Sequence, residues 1–120
     1  MDEAAIGEAL DSERADATAR LAAMQAEFDE IVSGSMDVNG DDEHDPEGAT
    51  VAFERSRVAA IAARSQARID EIDRARARLE AGAYGRCEQC GADIGADRLS
   101  ARPTTTVCIR CASGSAGPSR

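Results

Sequence analysis

Cys87-Glu-Gln-Cys90 and Cys108-Ile-Arg-Cys111 hold all four cysteines of the chain, and 17 residues separate the two pairs. Two intervening residues let each pair curl until both sulfurs face one point, and two such pairs at this separation have the spacing of a zinc ribbon. Gly91, just after the first pair, suits the left-handed backbone that such a knuckle often needs. Four thiolates close a tetrahedron around one Zn2+ and leave no position open for water or substrate, so the expected metal role is structural. An iron–sulfur cluster is the other occupant four cysteines can hold, and oxidation that ejects the metal is a secondary redox reading. Between the pairs, Ile94 and Leu99 are the candidate miniature core, with Tyr84 and Val107 nearby. Gly85 and Gly95 permit tight turns, and Pro103 with Thr104 to Thr106 suits an extended or turning return. So few apolar groups leave the metal to supply most of the stability of this part.

The rest of the chain offers little bulk for a globular core. It has 120 residues, its aromatics are Phe28, Phe53 and Tyr84, and much of its apolar content is alanine. A thin helix-on-helix seam fits this composition better than a thick core. Residues from about 4 to 33 read as a helix in which Leu21, Met24, Phe28 and Ile31 step by three, four and three, extended upstream by Ile6, Leu10 and Ala17. Gly7 weakens the first turn, where fraying is expected. The pattern breaks at Gly34-Ser35, Asn39-Gly40 and the acidic run Asp41, Asp42, Glu43, His44, Asp45. Asp45-Pro46-Glu47 then suits a helix start, as cap, first-turn proline and acid at the positive helix end. A second helix is expected from about 46 to 81, with Val58, Ile61, Ile69, Ile72 and Leu79 at helical spacing on its stripe, Val51 and Phe53 upstream, Ser65 as a small polar interruption, and Gly82 as its C-terminal cap. The fold class is therefore mostly α: an antiparallel helical hairpin over residues 1–83, an arm of roughly 45–50 Å with an acidic tip at 34–49. A four-cysteine finger over 84–112 and a disordered Gly/Ser tail over 113–120 complete it.

Charge narrows the partners. The net charge is −9, but residues 1–49 hold 2 Arg against 15 Asp and Glu, whereas residues 50–81 and 82–120 each carry a net +2. Four thiolates around zinc would bring the last segment close to neutral. This is a poor footprint for nucleic acid, and a protein with a basic groove or channel is the better fit. All 14 basic residues are Arg, which reads as genomic base composition rather than function. No run of about 18 apolar residues exists to span a membrane. Met1-Asp2-Glu3 lacks the basic and apolar regions of a signal peptide, so a cytoplasmic location is expected, where paired cysteines mean metal more often than disulfide. His44 is the sole histidine and lies in the acidic connector, no catalytic constellation is visible, and no enzyme is expected. The connector's spacing is not that of an EF-hand.

The segment from Tyr84-Gly-Arg-Cys-Glu-Gln-Cys-Gly through Arg98-Leu-Ser-Ala-Arg-Pro to Cys108-Ile-Arg-Cys111 closely resembles the zinc finger of the DksA/TraR family across about 28 residues. The hairpin extends the likeness in architecture to most of the chain. The resemblance implies a bacterial transcription regulator that binds RNA polymerase directly and does not read DNA sequence. Its hairpin enters the polymerase secondary channel, and the tip approaches the catalytic centre. The family's strongest members carry Asp-x-x-Asp-x-Ala at the tip. Ungapped counting from Cys87 puts His44, Glu47 and Ala49 there, while the literal Asp42-x-x-Asp45 spacing is followed by Glu47, so the tip residues are Asp42, Asp45, Glu47 and Ala49. Arg102 matches one basic position of the family's second alarmone site. Glu71 and Ala112 stand where two others belong, which argues against guanosine tetraphosphate binding. The helix that many members carry after the finger is missing. A monomer is expected. The rival readings are a zinc-ribbon adaptor using Arg86, Arg98, Arg102 and Arg110 on phosphates, and a coiled-coil scaffold.

Overall fold

The computed structural model describes residues 2–38 and 46–114. Four helices follow one another along the chain: α1 (Glu3–Val38), α2 (Pro46–Glu80), α3 (Ala96–Ala101) and α4 (Ile109–Ala112). There is no strand among the described residues beyond one isolated antiparallel bridge, Arg86 to Asp93. The long pair α1 and α2 makes a helical hairpin. None of the helices is long and apolar enough to cross a membrane, among the described residues.

Both long helices start where local chemistry favours it. The Asp2 carboxylate accepts the Ala4 amide at 3.0 Å, which satisfies one of the orphan donors of the first turn of α1. Glu3 adds an acid at the positive helix end. α2 begins on Pro46, whose missing N–H costs nothing at that position. Its end is a Schellman motif: the Ala83 amide donates to the Arg78 carbonyl at 2.8 Å and the Gly82 amide to the Leu79 carbonyl at 3.2 Å, with Gly82 at φ 78°.

The chain forms two compact units. In the first, which takes the chain up to Arg14 and again from Asp70, the start of α1 packs antiparallel on the end of α2. Leu10, Ile72 and Ala75 are buried together, with Ile6 and Tyr84 against them. Register is marked at the surface: Arg14 meets the Asp73 carboxylate through Nε at 2.7 Å and Nη2 at 3.2 Å, and Arg76 meets Asp11 at 3.1 Å. The Arg14 hydrogen bond holds the Asp73 carboxyl below its usual range. Gly7 is not a frayed turn. It is buried, its carbonyl accepts Arg76 Nη1 at 3.2 Å, and a Cβ there would stand 3.2 Å from that same nitrogen. The glycine lets the guanidinium lie against the helix backbone.

In the second unit, Ala15–Ile69, the buried positions are Ala17, Val58, Ser65 and Ile69. Val58 and Ser65 stand one heptad apart, and no buried side-chain nitrogen or oxygen among the described residues lacks a hydrogen-bond partner. Arg57 faces Glu27 across the helices at 3.7 Å. Leu21, Met24 and Phe28 are half-buried against Ala59, Ala62 and Ala63, and the short alanines leave an open groove of about 390 Å3 there. Phe53, upstream of the stripe, is 70 % exposed. It precedes Val58 by five residues, off the three-four rhythm, whereas Val51 precedes it by seven and is half-buried. Phe53→Ala should therefore change unfolding stability by no more than about 0.5 kcal/mol in a denaturant titration, since most of the side chain already faces solvent. A loss above about 2 kcal/mol, the size seen for a buried phenylalanine, would mean the ring is covered.

Helix α1 also runs five residues past the expected end, through Gly34, which meets nothing within 4 Å of a built Cβ. Asp42, His44 and Asp45 lie outside the described residues, as does the tail from residue 115. Glu47 is the second residue of α2, and Ala49, still in its first turn, is exposed.

Candidate metal centre

The two cysteine pairs are brought together by backbone turns and one short helix. After the Schellman end of α2, Gly85 at φ 88° turns the chain, and its carbonyl accepts the Ile94 amide at 2.8 Å. The first knuckle closes with the Gly91 amide donating to the Cys87 carbonyl at 2.9 Å, Gly91 having φ 81°, and with the Cys87 amide donating to the Ala92 carbonyl at 2.8 Å. Helix α3 follows Gly95, at φ 103°, and buries Leu99. The return segment is held by the Glu88 amide on the Thr106 carbonyl at 2.8 Å, and by Arg98 Nε on the Val107 carbonyl at 3.0 Å. Helix α4 then carries Cys111, and the Ala112 amide donates to the Cys108 carbonyl at 2.9 Å. The interior is small: Cys87, Ile94, Leu99 and Cys108 are buried, with Tyr84, Val107 and Cys111 against them. Tyr84 Oη donates to the Pro103 carbonyl at 2.8 Å, so its one polar atom is satisfied.

The Sγ atoms of Cys87, Cys90, Cys108 and Cys111 all lie within 4.8 Å of one another. Those of Cys90 and Cys108 are 3.7 Å apart. A tetrahedron with Zn–S bonds of about 2.3 Å has edges of about 3.8 Å, so the sulfur cage has the size that Zn2+ takes. The charges agree. Burial pushes the Cys87 thiol up, but amides of Cys108, Cys90 and Gln89 outweigh it and bring the group down to about 6; the Gln89 amide stands 3.4 Å from the sulfur. Cys111 is pushed up to about 12 by burial and by the sulfurs of Cys108, Cys87 and Cys90. Cys108 is brought down as well, first by the Cys111 amide, whereas Cys111 resists joining the anionic sulfurs, and a divalent cation is what such crowded thiolates lack. No other group of three or more His, Cys, Asp or Glu converges in this way among the described residues.

Residues 82–115 match the sequence profile of the prokaryotic dksA/traR C4-type zinc finger. Over these residues the chain is similar to the DksA/TraR zinc finger. The likeness to individual DksA proteins falls on the same region. The RNA polymerase-binding transcription factor DksA of Caulobacter vibrioides is 51% identical over 41 residues, 34% of this chain and 29% of that protein. DksA of Escherichia coli is 44% identical over 43 residues, 36% of this chain and 28% of that protein. In sequence, therefore, the match spans less than a third of the length of either relative. In structure it extends further: transcription factor DksA2 from Pseudomonas aeruginosa superposes with a TM-score of 0.76 at 29% identity, covering 95% of this chain and 84% of that one.

Around the four cysteines the remaining site residues separate. Arg102 caps α3, its amide donating to the Arg98 carbonyl at 2.7 Å, and its side chain is exposed. Glu71 and Ala112 are exposed as well. Sequence reasoning missed α3, and with it the inward role of Arg98, whose Nη2 also stands 3.4 Å from Thr105 Oγ1. The Arg-Leu-x-Ala-Arg-Pro run held the signal, since alanine, arginine and leucine favour a helix and Asp97 sits in its first turn.

Proposed function

We propose that this protein is a non-enzymatic bacterial transcription regulator that binds RNA polymerase directly through its helical hairpin. The observation that carries the reading is the likeness of fold to DksA2 along 95% of the chain, coupled to the DksA/TraR finger. Cys87, Cys90, Cys108 and Cys111 would hold one structural Zn2+, which ties the two knuckles together where the packed interior is too small to do so. The hairpin enters the polymerase secondary channel, and Asp42, Asp45 and Glu47 act near the catalytic centre through charge, with Ala49 two residues on as the small apolar member of the tip. The concentration of acid in residues 1–49 supports a basic channel as the docking partner. The protein acts as a cytoplasmic monomer and without sequence-specific DNA contacts. Guanosine tetraphosphate has no place in this reading: Arg102 is one basic side chain where the resemblance asks for several.

The test is capture of purified bacterial core RNA polymerase by the full chain, with and without a competing secondary-channel protein. Binding at micromolar protein or tighter that the competitor abolishes is the expected result. No binding by a zinc-loaded, helical chain would leave the fold without the partner, and the adaptor and scaffold readings would replace this one.

A further inference from the structure

One arginine joins the end of α2 to both cysteine knuckles. The Arg78 guanidinium, 21% exposed, donates through Nη2 to the Ala83 carbonyl at 3.0 Å and to the Arg86 carbonyl, while Nη1 stands 3.9 Å from the Glu88 carboxylate. Glu88 sits between Cys87 and Cys90. Its other carboxylate oxygen accepts Thr106 Oγ1 at 2.8 Å, and its amide donates to the Thr106 carbonyl at 2.8 Å, two residues before Cys108. Arg86 in turn donates to the Gly91 carbonyl at 3.1 Å, closing the first knuckle from outside. Residues 78 and 83 are joined twice, once by the Ala83 amide on the Arg78 carbonyl and once by the Arg78 side chain on the Ala83 carbonyl.

We infer that Arg78 is the positioning residue through which metal held by the four cysteines orders the last turn of α2. The inference rests on the metal assignment above. The carbonyls of Ala83 and Arg86 are presented to one guanidinium only while residues 83–91 keep their folded path, and the knuckle fixes that path. A guanidinium is needed because one of its terminal nitrogens holds both carbonyls while the other, fixed in the same plane, stays beside the Glu88 carboxylate, whereas an ammonium is a point donor. A purely dipolar role at the C-terminus of α2 would be met equally by lysine. Arg78 thus sets the direction in which the finger leaves α2.

The experiment uses the full chain, stripped of metal and then given one equivalent of Zn2+, and reads amide hydrogen exchange at Gly82 and Ala83. In the native chain zinc should slow exchange there by about tenfold or more. Arg78→Gln and Arg78→Lys should each still bind one Zn2+, and with Co2+ should give the native tetrahedral thiolate spectrum. In both, the zinc-linked slowing should fall below about twofold. Native slowing retained in Arg78→Lys overturns the proposal, because charge alone then suffices. Exchange raised equally with and without zinc also overturns it, as a general loss of stability. A native chain that binds one Zn2+ without any slowing sinks the coupling alone. A native chain that binds no zinc sinks the metal assignment with it. Should Arg78→Gln fail to fold, the lysine variant decides.

Discussion

Cys87→Ser should lose its zinc, falling from one ion per chain to below about 0.1 after dialysis, because a serine hydroxyl is no substitute for a thiolate on Zn2+. The finger should unfold with the loss. Its buried aliphatic side chains are Ile94 and Leu99, worth roughly 1.5–3 kcal/mol each when withdrawn from water. Ordering backbone costs about 1–2 kcal/mol per residue, so two such side chains cannot fix a segment as long as the finger. Structural zinc supplies about 10–16 kcal/mol in comparable small modules, which reverses the balance. The hairpin should survive: α1 and α2 hold 36 and 35 residues against 6 and 4 in α3 and α4, and the Leu10, Ile72 and Ala75 cluster contains no cysteine. Far-UV ellipticity should therefore keep most of its native value, while the amides of residues 85–112 lose protection. Elemental analysis and exchange on one sample check both halves. Stoichiometric zinc in the variant would refute four-thiolate ligation.

The parts of this fold that repeat were legible in the sequence, and the parts that depend on a single tertiary contact were not. Val58, Ser65, Ile72 and Leu79 recur every seven residues, so the register of α2 could be read before any coordinates. Of these, Val58, Ser65 and Ile72 are buried and Leu79 is half-buried. Gly34-Ser35 looked like the end of α1, yet a helix already long by that point absorbs a glycine at a cost of about 1 kcal/mol, and α1 continues to Val38. Gly7 carried the opposite ambiguity. Its burial follows from Arg76, 69 residues away, and no local pattern encodes that meeting. Phe53 is off the phase of the stripe below it, and its exposure follows from that phase. In the metal centre the cysteines and Gly91 announced themselves by spacing. The roles of Arg78, Arg98 and Glu88 depend on carbonyls and hydroxyls that only the folded turns bring within reach.

The joint replacement Asp42→Asn, Asp45→Asn and Glu47→Gln should leave polymerase affinity within about threefold of native and remove the effect on transcript yield from responsive promoters. It takes three negative charges from a chain of net −9 without adding bulk. Acids that act near bound magnesium and mobile catalytic elements work through field at short range, where charge pairs are poorly screened and worth far more than in water. Long-range attraction to a basic channel instead draws on all 15 acids of residues 1–49, so removing three should slow association and speed dissociation only modestly. On the proposed function, binding and effect should therefore separate, with anchoring expected from the length of the hairpin and the finger and the consequence from the tip. Titration of labelled protein onto core polymerase, alongside single-round transcription, measures the two on the same preparation. Affinity that collapses together with activity would make the tip an anchor. Activity that persists at native affinity would move the effect onto the helices or the finger. Retained affinity without activity would establish that the acidic pair Asp42-x-x-Asp45, followed by Glu47 where an alanine is expected, is the working form of the tip in this chain.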